Sequence, residues 1–183
     1  MTQKFITKEF NVEKHTGKLS PFGKEKISIR DEAKLTQRNI IYIYKGDSNI
    51  YIGQTKHFYA RHKEHCAEQS LQYVDGSYKK VIVAFGSLIN QQSLDDIEKQ
   101  LITYITADYD HKKLLVDNNT KGNDSITYVN QDDVLTDFIY PFWKLLYAKN
   151  YVLAQNINLV KESILFKYSP FTKLTDEKKM MRA

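Results

Sequence analysis

The chain has 183 residues, 42% hydrophobic and 27% charged, with 27 Lys and Arg against 22 Asp and Glu for a net charge of +5. That profile fits a globular protein with one cored domain, or one domain and a helical extension. It excludes a membrane-spanning run and a signal peptide at "MTQKFITKEF", and the single cysteine, Cys66, excludes an internal disulfide or a multi-cysteine zinc site.

A cytoplasmic location is the default expectation. Lysine surplus with 13% aromatics, thirteen of them tyrosine, suits a nucleic-acid partner, because cations meet phosphates and aromatic faces stack on bases. A lysine-rich surface that serves solubility alone explains the charge equally well. Cys66 on a helix reads more readily as a small packing residue than as a catalytic thiol.

Residues 1–38 form a charged N-terminal arm in which "TGKLSPFGKEK" is punctuated as loop by Gly17, Pro21 and Gly23. A hairpin is predicted over 39–54, a helix over 56–69, a strand "KKVIVAF" over 79–85 and a second helix over 93–109. Ser93 and Asp96 resemble a capping box for that second helix, whose apolar face is Ile97, Leu101, Tyr104 and Ile105. The stretch 117–125, "DNNTKGNDS", is turn-rich. A helical extension, 131–166, carries Val134, Leu135, Phe138, Ile139, Phe142 and Leu146 at spacings of three and four, with Pro141 expected to kink or restart it. A polar tail or linker, 167–183, follows.

The hairpin "IIYIYKGDSNIYIG" turns at "KGDS". With Tyr44 opposite Asn49, Ile43 faces Ile50, Tyr42 faces Tyr51 and Ile41 faces Ile52. The isoleucines then share a core face and Tyr42 and Tyr51 sit side by side on the other, which ordinary aromatic pairing also explains. In the helix after it Thr55 can cap the start, and Phe58, Arg61 and His65 share one stripe, an unusual choice for a core. His62, Lys63 and Glu64 are assigned to the surface. Glu98 lies at the margin of the buried stripe of the second helix, either as a rim ion pair or as a hard oxygen ligand for a divalent cation.

At these residues the chain resembles the GIY-YIG nuclease family. "YIG" is intact at Tyr51, Ile52 and Gly53, "IIY" at 40–42 stands where the family has GIY, Arg61 follows Tyr51 by ten, and His65 follows Arg61 by four. Glu98 in "IEKQLI" matches the metal-binding glutamate, and "LLVDNNTKG" resembles the later motif in which Asn118, or else Asn119, supports the site. Ile40 departs from the family glycine, and the hairpin is shorter than the commonest form.

The resemblance covers roughly 39–123, within an expected nuclease domain of 39–130. It implies an α/β (α+β) fold, a small central antiparallel sheet flanked by helices. It also implies an endonuclease that hydrolyses phosphodiester bonds, with DNA as the expected substrate. Glu98 is implied as the ligand for Mg²⁺ or Mn²⁺, Arg61 on the phosphate, Tyr51 with Tyr42 activating water, and His65 holding Tyr42 or relaying a proton. Gly53, Lys63, Asn118 and Asn119 complete the expected substrate-facing set. A free phenol titrates near ~10, so acting as a base at neutrality means lowering it by an amount worth about 4 kcal/mol.

The arrangement also resembles the N-terminal module of bacterial proteins that continue into a helicase-like ATPase domain, with "ILFKYSPFTKLTDE" as the connector. Two other readings compete: a catalytically inactive nucleic-acid-binding module, and an interaction protein that docks a partner or a second copy through Phe138, Phe142 and Trp143.

Overall fold

Side chains alternate along a strand, so one strand can serve two cores, and the central strands of this protein do so. The computed structural model describes residues 5–13, 18–21, 35, 39–66, 78–89, 91–110, 115–116 and 135–167. Its strands are β1 (Phe5–Val12), β2 (Leu19–Pro21), β3 (Ile40–Gly46), β4 (Asn49–Thr55), β5 (Tyr78–Gly86) and β6 (Leu115–Val116). The helices are α1 (Phe58–Cys66), α2 (Gln91–Asp110), α3 (Tyr140–Ala148) and α4 (Ile157–Lys167), and a π-helical segment, Leu135–Ile139, leads into α3.

The sheet order is β2-β1-β5-β3-β4-β6. The first five strands pair antiparallel, and β6 adds to β4 in parallel at Asn49 and Ile50. The fold is therefore mixed α+β, an antiparallel sheet with helices on it. Part of the segment expected as an arm is a strand, since Phe5–Val12 pairs with β5 from Phe5↔Gly86 to Asn11↔Lys80.

The hairpin register corrects the sequence expectation. Tyr42 pairs with Gly53, Ile43 with Ile52, and Tyr44 with Tyr51, which leaves Asp47 and Ser48 as the turn. The slip from the expected pairing is two residues, and a slip of two preserves which side chains share a face. Ile41, Ile43, Ile50 and Ile52 accordingly line one face, where Ile82, Ala84, α2 and the C-terminal helices close a core around Phe138, Phe142 and Trp143. Tyr42 and Tyr44 line the other, with Phe10, Phe58, Tyr78, Val81, Val83 and Phe85.

The remaining elements follow from local chemistry. Ile97, Leu101 and Ile105 are buried as their spacing predicts, while Tyr104 packs at the edge. Ser93 does not cap α2, because the helix begins at Gln91; its hydroxyl donates instead to the Leu88 carbonyl at 3.0 Å. Pro141 falls in the first turn of α3, where a missing N–H is tolerated, and the chain changes there from π to α winding. Phe138, Phe142 and Trp143 are core and not a docking face, with exposures of 0%, 0% and 1%. Among the described residues, no helix is long and apolar enough to cross a membrane.

Candidate functional site

A phenol buried in a sheet needs both space and a hydrogen-bond partner, and Tyr42 obtains these from two different elements. Space comes from Gly53, its partner across the β3–β4 ladder. A Cβ on Gly53 would stand 2.8 Å from Tyr42 Cε2 and nearer still to Cζ and the hydroxyl, so any side chain there would force the Tyr42 ring to move. Freed of a neighbour opposite, the Tyr42 ring leans diagonally to Tyr51, with centroids 6.2 Å apart. Gly53, expected to face substrate, is itself buried under that ring.

The partner comes from α1. The Thr55 hydroxyl accepts the His57 N–H at 3.1 Å, and the helix starts with Arg61 N–H to the His57 carbonyl at 3.0 Å. Phe58, His62 and His65 form its buried face. His65 Nε2 lies 3.0 Å from the Tyr42 hydroxyl. The Tyr51 ring meets His65 edge-on, with centroids 5.4 Å apart.

The expected surface position of His62 is corrected. It is buried, with Nδ1 2.5 Å from the Tyr44 hydroxyl and its ring stacked on Tyr44. The stripe thus runs Phe58, His62, His65, and Arg61 stands at its rim. A permanently charged guanidinium is costly to bury, whereas a neutral imidazole can accept from a buried phenol. Cys66 Sγ lies 3.5 Å from His62 Nε2, extending the chain Tyr44–His62–Cys66. Burial pushes the Cys66 thiol up, which fits the packing role and not an activated nucleophile.

Electrostatics separates these groups. Burial pushes the Tyr42 phenol well above its usual range; Tyr51 beside it adds to the rise, and Arg61 only partly offsets it. Arg61 pulls the Tyr42 phenol down, as a positive charge must, but desolvation outweighs it, so Tyr42 is not the phenol that ionises. His65 is held down to about 4, first by burial and then by Arg61 and His62, against a smaller opposing pull from Glu64. It is neutral at neutral pH. Arg61 pairs with Glu64 at 2.9 Å, their side chains 43% and 64% exposed, and its charge acts on the Tyr42 phenol nearby. Lys63 is exposed.

Glu98 reaches the sheet from the other side. It extends from α2, whose Ile97 and Leu101 pack on the isoleucine face. Its Oε2 accepts from Gln54 Nε2 at 2.9 Å, and the same nitrogen donates to Asp95 Oδ1 at 2.5 Å. Burial and then Asp95 raise the Glu98 carboxyl, while the Gln54 bond lowers it. The structure therefore unites Tyr42, Tyr51, Arg61 and His65 on one face of β4 and sets Glu98 against the other, beside Gln54. Among the described residues, β6 pairs with β4 at Asn49 and Ile50, and the two groups flank the stretch of β4 beyond that pairing. Asn118 and Asn119 lie outside the described residues.

The single-carboxylate donor set suits a divalent cation that keeps most of its waters. Among the described residues, no cluster of three or more His, Cys, Asp or Glu could hold a metal. The residues missed by sequence reasoning are Tyr44, His62, Gln54 and Asp95. His62 was within reach of the helical pattern, at four residues from Phe58 and three from His65. No family model, curated protein or solved structure matches the chain.

Proposed function

We propose that the chain is a metal-dependent endonuclease of the GIY-YIG type that hydrolyses phosphodiester bonds in DNA. The observation that carries this reading is the gathering of Tyr42, Tyr51 and His65, with the Tyr42 hydroxyl 3.0 Å from His65 Nε2 and both phenol rings against the imidazole, beside Arg61 at the rim of the same helix. A packing role needs no arginine at that point, whereas phosphodiester hydrolysis needs a cation at the phosphate and a path for a proton.

Arg61 binds the phosphate. It is half-exposed, and exchanging Glu64 for phosphate gives up an exposed ion pair worth only about 0–1 kcal/mol. Its planar fork then holds two phosphate oxygens and neutralises charge that grows in the transition state.

Tyr42 stays protonated, so its role is to pass a proton on. With the neutral His65 ring carrying its proton on Nδ1, the Tyr42 hydroxyl directs its own proton to Nε2, 3.0 Å away. Tyr51, half-buried at the edge of the cluster, is the phenol that meets the attacking water. As water adds to phosphorus and the bond from phosphorus to the leaving oxygen breaks, the water proton moves to the Tyr51 oxygen, the Tyr51 proton to Tyr42 and the Tyr42 proton to His65, and the leaving oxygen takes its proton from solvent. That path requires His65 unprotonated at rest, as its burial ensures. Glu98 would hold a Mg²⁺ or Mn²⁺, which would supply stabilisation of the negative charge that grows in the reaction.

The test is a cleavage panel of plasmid, single-stranded, duplex and branched DNA, with RNA for comparison, with and without Mg²⁺. Arg61→Ala and Glu98→Ala should each lower cleavage ~10²–10³-fold while circular dichroism is unchanged. Undiminished cleavage in both variants refutes the reading. Glu98 packs on the opposite face from the phenols, which favours a second reading: a nucleic-acid binder that does not cut. Retardation of DNA without nicking at any Mg²⁺ concentration would select it.

A further inference from the structure

We propose that Gln54 is a positioning residue for Glu98, fixing the cation-binding carboxylate to the strand that carries Tyr51. This rests on the nuclease reading and extends it to a residue outside the motif.

The row of side chains on the isoleucine face of β4 runs Ile50, Ile52, Gln54, and Gln54 stands opposite Ile41. A third aliphatic side chain would continue that row; an amide stands there instead. Its Nε2 gives one N–H to Glu98 Oε2 at 2.9 Å and the other to Asp95 Oδ1 at 2.5 Å. Ionised carboxylates only accept, so the NH₂ end of the amide must face them.

This amide is a polar tie from β4 to the α2 carboxylates. The neighbouring α2 contacts with the sheet are hydrocarbon, through Ile97 and Leu101, and set no direction for an oxygen. Tyr51 is three residues before Gln54 on the same strand and points to the opposite face. A bond from Gln54 therefore sets the Glu98 carboxylate at a fixed offset from Tyr51 and leaves Oε1 for a cation. Carboxylate ligands elsewhere are held in this way, and loss of such a partner typically weakens metal affinity or activity ~10–100-fold.

The experiment measures Mn²⁺ binding by electron paramagnetic resonance, without nucleic acid, in wild type, Gln54→Met, Gln54→Ala and Glu98→Ala. Gln54→Met keeps length and removes both donors; Gln54→Ala guards against a packing effect of the thioether. Both should bind Mn²⁺ ~10–100-fold more weakly, with the metal-free thermal midpoint unchanged. Cleavage should return at saturating Mn²⁺, so that the loss is in apparent metal affinity and not in kcat.

Wild-type affinity in both Gln54 variants, with binding lost in Glu98→Ala, overturns the role of Gln54 and leaves the nuclease reading standing. Gln54 variants whose kcat stays low at saturating Mn²⁺ also overturn it. Wild type that binds Mn²⁺ no better than Glu98→Ala overturns the cation site itself, and the positioning role with it.

Discussion

The two faces of the central sheet are cut from the same strands and filled in opposite ways. On one, Ile41, Ile43, Ile50 and Ile52 meet helices through hydrocarbon; on the other, Tyr42 and Tyr44 meet α1 through the hydroxyl–imidazole bonds to His65 and His62. Hydrocarbon packing is non-directional and tolerates adjustment, whereas a buried phenol without its partner leaves a polar group unsatisfied, at about 1–3 kcal/mol. The aliphatic face therefore supplies most of the cohesion. The aromatic face, held by directed bonds, supplies the fixed geometry that chemistry needs.

Neighbouring residues of β4 allow the comparison to be broken one face at a time. Ile52→Ala removes aliphatic contacts from a fully buried site and should destabilise the fold by about 2–5 kcal/mol in urea titrations. Whatever remains folded should cleave normally. Gly53→Ala adds one methyl group against the Tyr42 ring and should cost less, about 1–3 kcal/mol. It should nevertheless reduce cleavage in the folded fraction, because it displaces the phenol at the centre of the cluster. Equal losses of activity per folded molecule in the two variants would erase the distinction between the faces.

A third expected effect is a pH dependence belonging to the aromatic face. His65 titrates at about 4 in the folded protein, against ~6.5 for a free imidazole. Between those values the unfolded chain binds more protons than the native one, so stability falls as pH drops from 6.5 towards 4 and the contribution is constant below that. The groups facing His65 include Arg61, His62 and Glu64 from α1 and Tyr42, Tyr44 and Tyr51 from the sheet. Subtracting the thermal-midpoint profile of His65→Asn from that of wild type should reveal the slope, since carboxylates common to both cancel. A flat difference would mean that His65 is already charged in the fold.

Much of this division was legible in the sequence. Strict alternation in "IIYIY" and "IYIG" assigned every isoleucine and tyrosine to its face, and a two-residue error in pairing did no harm because the period is two. Glu98 was legible as a marginal position of a buried helical stripe. β1 was not, because "FITKEFNV" mixes apolar with charged residues, and what makes it a strand is pairing with β5, some seventy residues away. His62 was misassigned because Arg61, one position earlier, fits the same helical stripe and the deciding partner, Tyr44, lies on another element. Gln54 and Asp95 gave no local signal, since an amide between two carboxylates exists only once α2 packs against β4.

The buried carboxylate of Glu9 in β1 is held by Lys149 at 2.7 Å and by Lys80 at 3.5 Å, and Phe5 packs edge-on against Phe138 with centroids 4.9 Å apart. Glu9 and Lys149 are 140 positions apart. During translation β1 therefore leaves the ribosome long before its ladder partner, and Glu9 long before its counter-charge; at ~5–20 residues per second the wait is roughly 10–30 s. Until β5 is made, β1 waits without its long ladder partner, and Glu9 waits longer still for Lys149. The sheet is sealed late, by residues that a ribosome reads almost a whole domain apart.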